Sequence, residues 1–158
     1  MDAMERLAQA NEILENYPDE CDFSGGATID DIRAAETALG LTFPESYRRF
    51  LSTLGAGSFA GAEFYGVIKG KPIGTSVPSV AWANLDLRKR PNFPNHLITT
   101  YNNGDGSLLC IDTSQMDSEK ESPAILWTFD LEQPYLKEYD SFGHLFLDIV
   151  RQEILFMS

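Results

Sequence analysis

By type and spacing, the residues best placed to do chemistry are those of YNNGDGSLLCID, residues 101–112. One acid, Asp105, sits between Gly104 and Gly106, and a second, Asp112, closes the apolar run. A calcium loop would need oxygen ligands at alternating positions and a bidentate Glu about six residues past the glycine, which Asp112, Thr113 and Ser114 do not supply. A phosphate cradle would need the glycine loop to enter a helix, whereas SLLCID reads as a strand. His96 and His144 are far apart, with no H-x-x-x-H spacing and no cysteine partner, so neither a zinc site nor a histidine-based nucleophile system is signalled. His144 reads as a surface residue in the first turn of the last helix. Carboxylate pairs such as Asp105 with Asp112, or Glu63 with Asp86, have the right chemistry for glycoside hydrolysis, but among 24 acidic residues such pairs arise by chance. Gly55-Ala56-Gly57-Ser58 lacks the lysine of a phosphate loop and follows no strand. Asp105 is therefore read as the tip of a turn, and no catalytic residue, metal or cofactor is expected.

Charge is the stronger signal. The chain has 158 residues, 24 acidic and 12 basic, for a formal net charge of −12. Such a surface repels nucleic acid phosphates and anionic lipid, so direct binding to DNA, RNA or membrane is not expected. Residues 101–140 carry nine acids against two bases, the most acidic long segment. Two explanations stand: general solubility, or electrostatic complementarity to a basic partner.

At 43% hydrophobic, the length suits one domain with a self-sufficient core. No apolar run reaches the roughly 18 residues of a membrane span, and MDAMERLAQANEILENYPDE is acidic where a secretory signal would be basic. A cytoplasmic chain is expected, with Cys21 and Cys110 as free thiols and Cys110 in the core.

The elements that must position any site follow from periodicity. Met4, Leu7, Ala8 and Leu14 predict an amphipathic helix over 2–16, stopped by Pro18. DECDFSGGA reads as a loop. Thr28 and Asp31 form a capping-box variant ahead of Ile29, Ile32, Ala35, Ala38 and Leu39, with Gly40 as the stop. Pro44 then presets a third helix, whose Tyr47, Phe50, Leu51 and Leu54 fall on one face before Gly55. A glycine-rich loop leads to a strand near Glu63–Ile68, and 69–75 reads as a turn. A helix is expected from about Ser79, with Val80, Ala81 and Leu85 inward and Arg88, Lys89 and Arg90 in its last turn. Strands are expected at His96–Tyr101, Ser107–Asp112 and Ala124–Phe129, the first two forming a hairpin about NNGDG. An extended piece, Tyr135–Tyr139, precedes Ser141, which caps a last helix bearing Phe142, Leu145, Phe146, Ile149 and Val150.

Two of these blocks carry a resemblance. Residues 29–67, with Ile32, Glu36, Leu39 and Gly40, then Pro44, Tyr47, Phe50, Leu51 and Gly55, then Glu63, Tyr65 and Gly66, resemble the opening signature of the SUKH (Smi/Knr-like) superfamily. NNGDGSLLCID is similar to that family's second block, a G-x-G hairpin tip and a strand ending in Asp, here Asp112. Phe43 stands where the pattern often has leucine. The resemblance implies one α+β domain over 1–158, with a central, mostly antiparallel sheet packed by helices. It also implies a non-catalytic role. Bacterial members resemble immunity proteins that bind polymorphic toxins, often nucleases; fungal relatives resemble regulators of cell-wall synthesis.

A nuclease toxin must attract a polyanion, so its inhibitor is expected to present carboxylates where phosphates would lie. The expected partner is thus a basic toxin domain, an RNase or DNase, met by a monomer or weak homodimer. The candidate contact residues are Asp105, Asp112, Asp117, Glu119 and Glu121, with Glu63, Tyr65 and Tyr101. Trp82 is either a further anchor or core, and Trp127 reads as core. An adaptor role without a toxin, and an enzyme with a carboxylate of perturbed pKa in a pocket, stay open as alternatives.

Overall fold

Asp2 opens the first helix by accepting the Glu5 N–H at 2.8 Å, and its side chain satisfies one of the four amides that a helix start leaves without partners. The helix, α1 (Ala3–Glu15), begins a computed structural model that describes residues 2–102, 104, 107–129 and 136–157. Its buried face is Ala3, Leu7, Ala10 and Leu14, so the inward stripe is turned slightly from the expected one and Ala8 faces solvent.

The cap at Thr28 forms as predicted, Oγ1 accepting the Asp31 N–H, and α2 (Ile29–Leu39) ends at Gly40 with φ 70°. Ile32, Ala35 and Leu39 are buried, whereas Ile29, at the first helical position, is 56% exposed. Glu36, from α2, folds the next turn: its carboxylate accepts the Phe43 N–H at 2.7 Å and pairs with Arg48 at 2.7 Å. That places α3 (Glu45–Thr53) against α2 with Tyr47, Phe50 and Leu51 inward.

The glycine-rich stretch then departs from expectation. It contains a hairpin, β2 (Gly57–Phe59) and β3 (Ala62–Phe64), and the segment read as a loop supplies β1 (Cys21–Phe23), giving an antiparallel sheet in the order β1-β2-β3. The strand expected over Glu63–Ile68 is therefore short and lies earlier. Gly66, just past it, tolerates no side chain, because a Cβ there would collide with the Gly55 carbonyl oxygen.

Helix α4 (Val80–Leu87) starts at the expected cap, Ser79, and its basic residues lie beyond its last residue. Strands β4 (Leu97–Thr99), β5 (Leu108–Asp112), β6 (Ala124–Trp127) and β7 (Leu136–Tyr139) form a second antiparallel sheet in sequence order. Thr99 pairs with Cys110 and Leu97 with Asp112, so the expected antiparallel pairing of these two strands is present. A bridge from Phe64 to Tyr101 ties the two sheets together. The fold is α+β, with two sheets where one was expected.

The last helix, α5 (Phe142–Met157), packs along α1 and inserts Phe142 and Phe146 among Tyr47, Phe50 and Phe64. These rings meet edge-on, tilted or stacked, with centroids from 4.8 to 6.2 Å apart. Each adds roughly 0.5–1.5 kcal/mol per pair to its burial. The far face of the second sheet has its own small core, Phe93, Leu97, Cys110, Ile125 and Trp127. Because both faces of β5 are covered, SLLCID is continuously apolar rather than alternating. Both cysteines are free thiols, and burial pushes the Cys110 thiol well up. Among the described residues, no helix is long and apolar enough to cross a membrane.

Candidate functional site

Three of the expected contact residues come from two distant segments and lie where the two sheets join. Along β3, Ala62 and Phe64 point inward, which turns Glu63 and Tyr65 outward. Tyr101 lies across the sheet junction, its ring packed on Phe64 at 5.3 Å. Backbone bonds lock the junction: the Tyr65 N–H donates to the Thr100 carbonyl at 2.9 Å and the Asn102 N–H to the Glu63 carbonyl at 3.2 Å.

Between Tyr65 and Tyr101 lies an open cleft of about 180 Å³, whose other wall is α4, through Trp82, Asp86 and Leu87. Trp82 is half-buried, so it is neither pure core nor a free surface side chain. Helix α4 is held in place by Asn84. This fully buried amide donates to the Val80 and Thr99 carbonyls and accepts the Thr99 N–H at 2.8 Å, covering the edge of β4. The opposite wall is fixed by the buried Tyr47 hydroxyl, which donates to the Tyr65 carbonyl at 2.7 Å. Burial pushes the Tyr65 hydroxyl above its ordinary pKa, and the nearby Glu63 carboxylate adds to the shift. The cleft is thus preformed, aromatic and edged by the Asp86 carboxylate. Asp86 is exposed and meets the exposed Lys89 at 3.6 Å.

The remaining candidates are elsewhere. Asp105 lies outside the described residues. Asp112 ends β5 at the opposite end of the hairpin from Tyr101, four residues and about 13 Å along the strand. It is only 2% exposed, and it spends its oxygens on the Ser114 N–H and hydroxyl and on the Gln115 amide. Glu121 is 5% exposed. One of its oxygens accepts the Ser46 N–H at 2.9 Å and the other the Ser46 hydroxyl at 2.7 Å, so it caps the start of α3, where Pro44 offers no side-chain acceptor. Both carboxylates are buried, and their oxygens serve hydrogen bonds within the fold. Asp117 and Glu119 are exposed; Asp117 Oδ1 accepts the Glu119 and Glu121 N–H groups, shaping the loop that carries them.

Two other groups have the types needed for catalysis. Burial raises the Glu121 carboxyl, and Asp117 and Glu45 add to the shift against the Ser46 hydrogen bonds, but its oxygens are tied to Ser46. His144 and Ser141 are joined at 2.7 Å, with the Ser141 oxygen also accepting the His144 N–H as a helix cap. His144 is half-buried rather than a plain surface residue, and burial, with Arg6 next, lowers its pKa. Ser141 is 1% exposed, which closes its oxygen to a substrate. No group of three or more His, Cys, Asp or Glu among the described residues could hold a metal ion.

Asp86, Leu87 and Leu108 line the cleft and were not among the expected contacts. A signal was present for the first, since Trp82 and Asp86 are four apart on one helix and so share a face.

Tyr65 and Leu108, on one side of the cleft, belong to the two blocks that carry the family pattern. The SUKH_5 family model, described as SMI1-KNR4 cell-wall, matches residues 8–151. The chain belongs to this SUKH family. No curated protein matches the chain. Within the SUKH motif the residues now have physical roles: Glu36 folds the turn into α3, Tyr47 braces β3, Gly66 allows close backbone approach, and Asp112 closes the β5 turn. SUKH proteins are generally non-catalytic.

Proposed function

We propose that this SUKH protein is an immunity protein that binds a cognate polymorphic toxin, a nuclease of basic surface, in the cytoplasm and neutralises it without chemistry of its own. The observation that supports this reading is the convergence of Tyr65, Trp82 and Asp86 on one preformed cleft, with Glu63 beside Tyr65, in a chain of net charge −12. Half-buried aromatic residues are the usual anchors of tight interfaces, and carboxylates beside them select a cationic partner and speed its arrival. Asp117 and Glu119 extend the negative field from the other end of the second sheet. The test is co-expression with the toxin domain encoded beside this gene. Growth rescue, with one-to-one binding that weakens steeply with salt, is expected.

The family description, SMI1-KNR4 cell-wall, favours a second reading: a regulatory adaptor in cell-wall synthesis. Modest affinity for several partners, with neither binding to nor protection from the neighbouring toxin, would select it over the first.

A further inference from the structure

We propose that the cleft between α4 and the β3–β4 junction is a receptor for one arginine side chain of the partner, stacked against Trp82 and Tyr65 with its N–H donors on Asp86. Toxin binding, as proposed above, supplies only the source of that arginine; the site itself is argued from its walls.

Size comes first. Small-molecule pockets run to roughly 300–1,000 Å³; at about 180 Å³ this cleft has room for a single side chain instead. Its walls decide which one. Leu87, Leu108 and the aromatic residues Trp82 and Tyr65 suit a flat or apolar group, while Asp86 at the edge, with Glu63 beside Tyr65, calls for positive charge. A leucine would leave the carboxylate unmet. A lysine would meet it, but carries a compact, strongly hydrated ammonium that gives up water reluctantly. A guanidinium is planar, weakly hydrated and stacks on rings while presenting its donors in the ring plane, so it satisfies both walls together.

The occupant's charge is consistent with the whole molecule's −12 and with the local competitor. Lys89 holds Asp86 at only 3.6 Å with both side chains largely in solvent, a pairing that contributes little and is readily displaced. The nearby Arg88 is committed to the Asn95 carbonyl at 2.7 Å, and the Arg90 guanidinium lies 3.5 Å over the Phe129 ring, showing the same chemistry at another place on this chain. Because Asn84 and Tyr47 already fix both walls, little ordering remains to be done when a side chain enters.

The test uses N-acetylarginine amide as the probe and the two tryptophan indole N–H signals as the readout. Trp82 lines the cleft, whereas Trp127 is 9% exposed in the separate small core and serves as the internal reference. A saturable shift of the Trp82 signal alone is expected, weaker with the lysine amide and absent with the leucine amide. Asp86→Asn, at an exposed position that leaves folding intact, should weaken binding about fivefold, and Lys89→Gln should tighten it about twofold. An equal response to the leucine amide, no response at Trp82, or an Asp86→Asn protein that binds like the parent would overturn the inference. Because the probe is a free amino acid derivative, a chain with no toxin partner can still pass, and a toxin-binding chain can still fail.

Discussion

Glu121 shows how a single carboxylate can be worth more to the fold than to the surface. It reaches across 75 residues of sequence to accept the Ser46 N–H at the start of α3, and the Ser46 hydroxyl that it also engages accepts the Gly143 N–H of α5 at 3.1 Å. Removing it strands a buried amide, so Glu121→Ala should cost about 1–3 kcal/mol in urea unfolding. Glu121→Gln keeps one acceptor and should cost less. Its larger effect is on pH. Burial holds the folded Glu121 pKa above its ordinary value, so as pH rises the unfolded chain releases this proton first. The group's contribution to stability is fully present below the ordinary carboxylate range and is lost as pH climbs through the raised folded value. Over that window the parent should lose stability relative to Glu121→Gln, and stability curves for the two proteins that run parallel with pH would contradict the assignment.

At the scale of elements, the cleft depends on how α4 is seated. Asn84 supplies the hydrogen bonds that an additional strand would otherwise give to Thr99, so Asn84→Ala should leave both backbone groups of Thr99 unpaired. A loss of about 3 kcal/mol is expected, together with faster hydrogen exchange at the Thr99 amide than at Ile111. Gly66→Ala is a second test, because the added methyl group meets the Gly55 carbonyl where β3 leaves the sheet. Overpacking of this kind costs about 1–3 kcal/mol, read as a lower midpoint in urea. The helices were legible in sequence because their signals are local: Thr28 with Gly40 brackets α2, and Tyr47, Phe50 and Leu51 repeat at helical spacing. Strands β1 and β2 were not, since each is three residues long and pairs across more than thirty positions, Cys21 with Phe59. The site was legible in the same proportion. Its place at the glycine-rich edge pointed to Tyr65 and aromatic type to Tyr101, but whether an acid is a contact or a fastener depends on partners far away in sequence. That is why Asp112 and Glu121 looked like Asp117 and Glu119 until their hydrogen bonds were known.

For the whole molecule, the −12 charge sets how a partner arrives more than how tightly it stays. Exposed charges act over a Debye length of about 8 Å at physiological salt, and Asp117 and Glu119 stand at the opposite end of the second sheet from the cleft. Their contribution should therefore be to steering. The double variant Asp117→Asn, Glu119→Gln should slow association with the basic toxin domain proposed above and flatten its dependence on ionic strength, leaving dissociation nearly unchanged. Asp86→Asn should show the reverse, faster dissociation with little change in the association rate, because its carboxylate makes contact only once the complex has formed. Both acids of the first pair are exposed, and the Asp117 side chain holds two backbone N–H groups that an asparagine oxygen can also accept, so the loop should keep its shape. Stopped-flow binding across a salt series separates the two effects. If the loop variant changed dissociation and the cleft variant changed association, the division between a steering end and a holding end would be wrong.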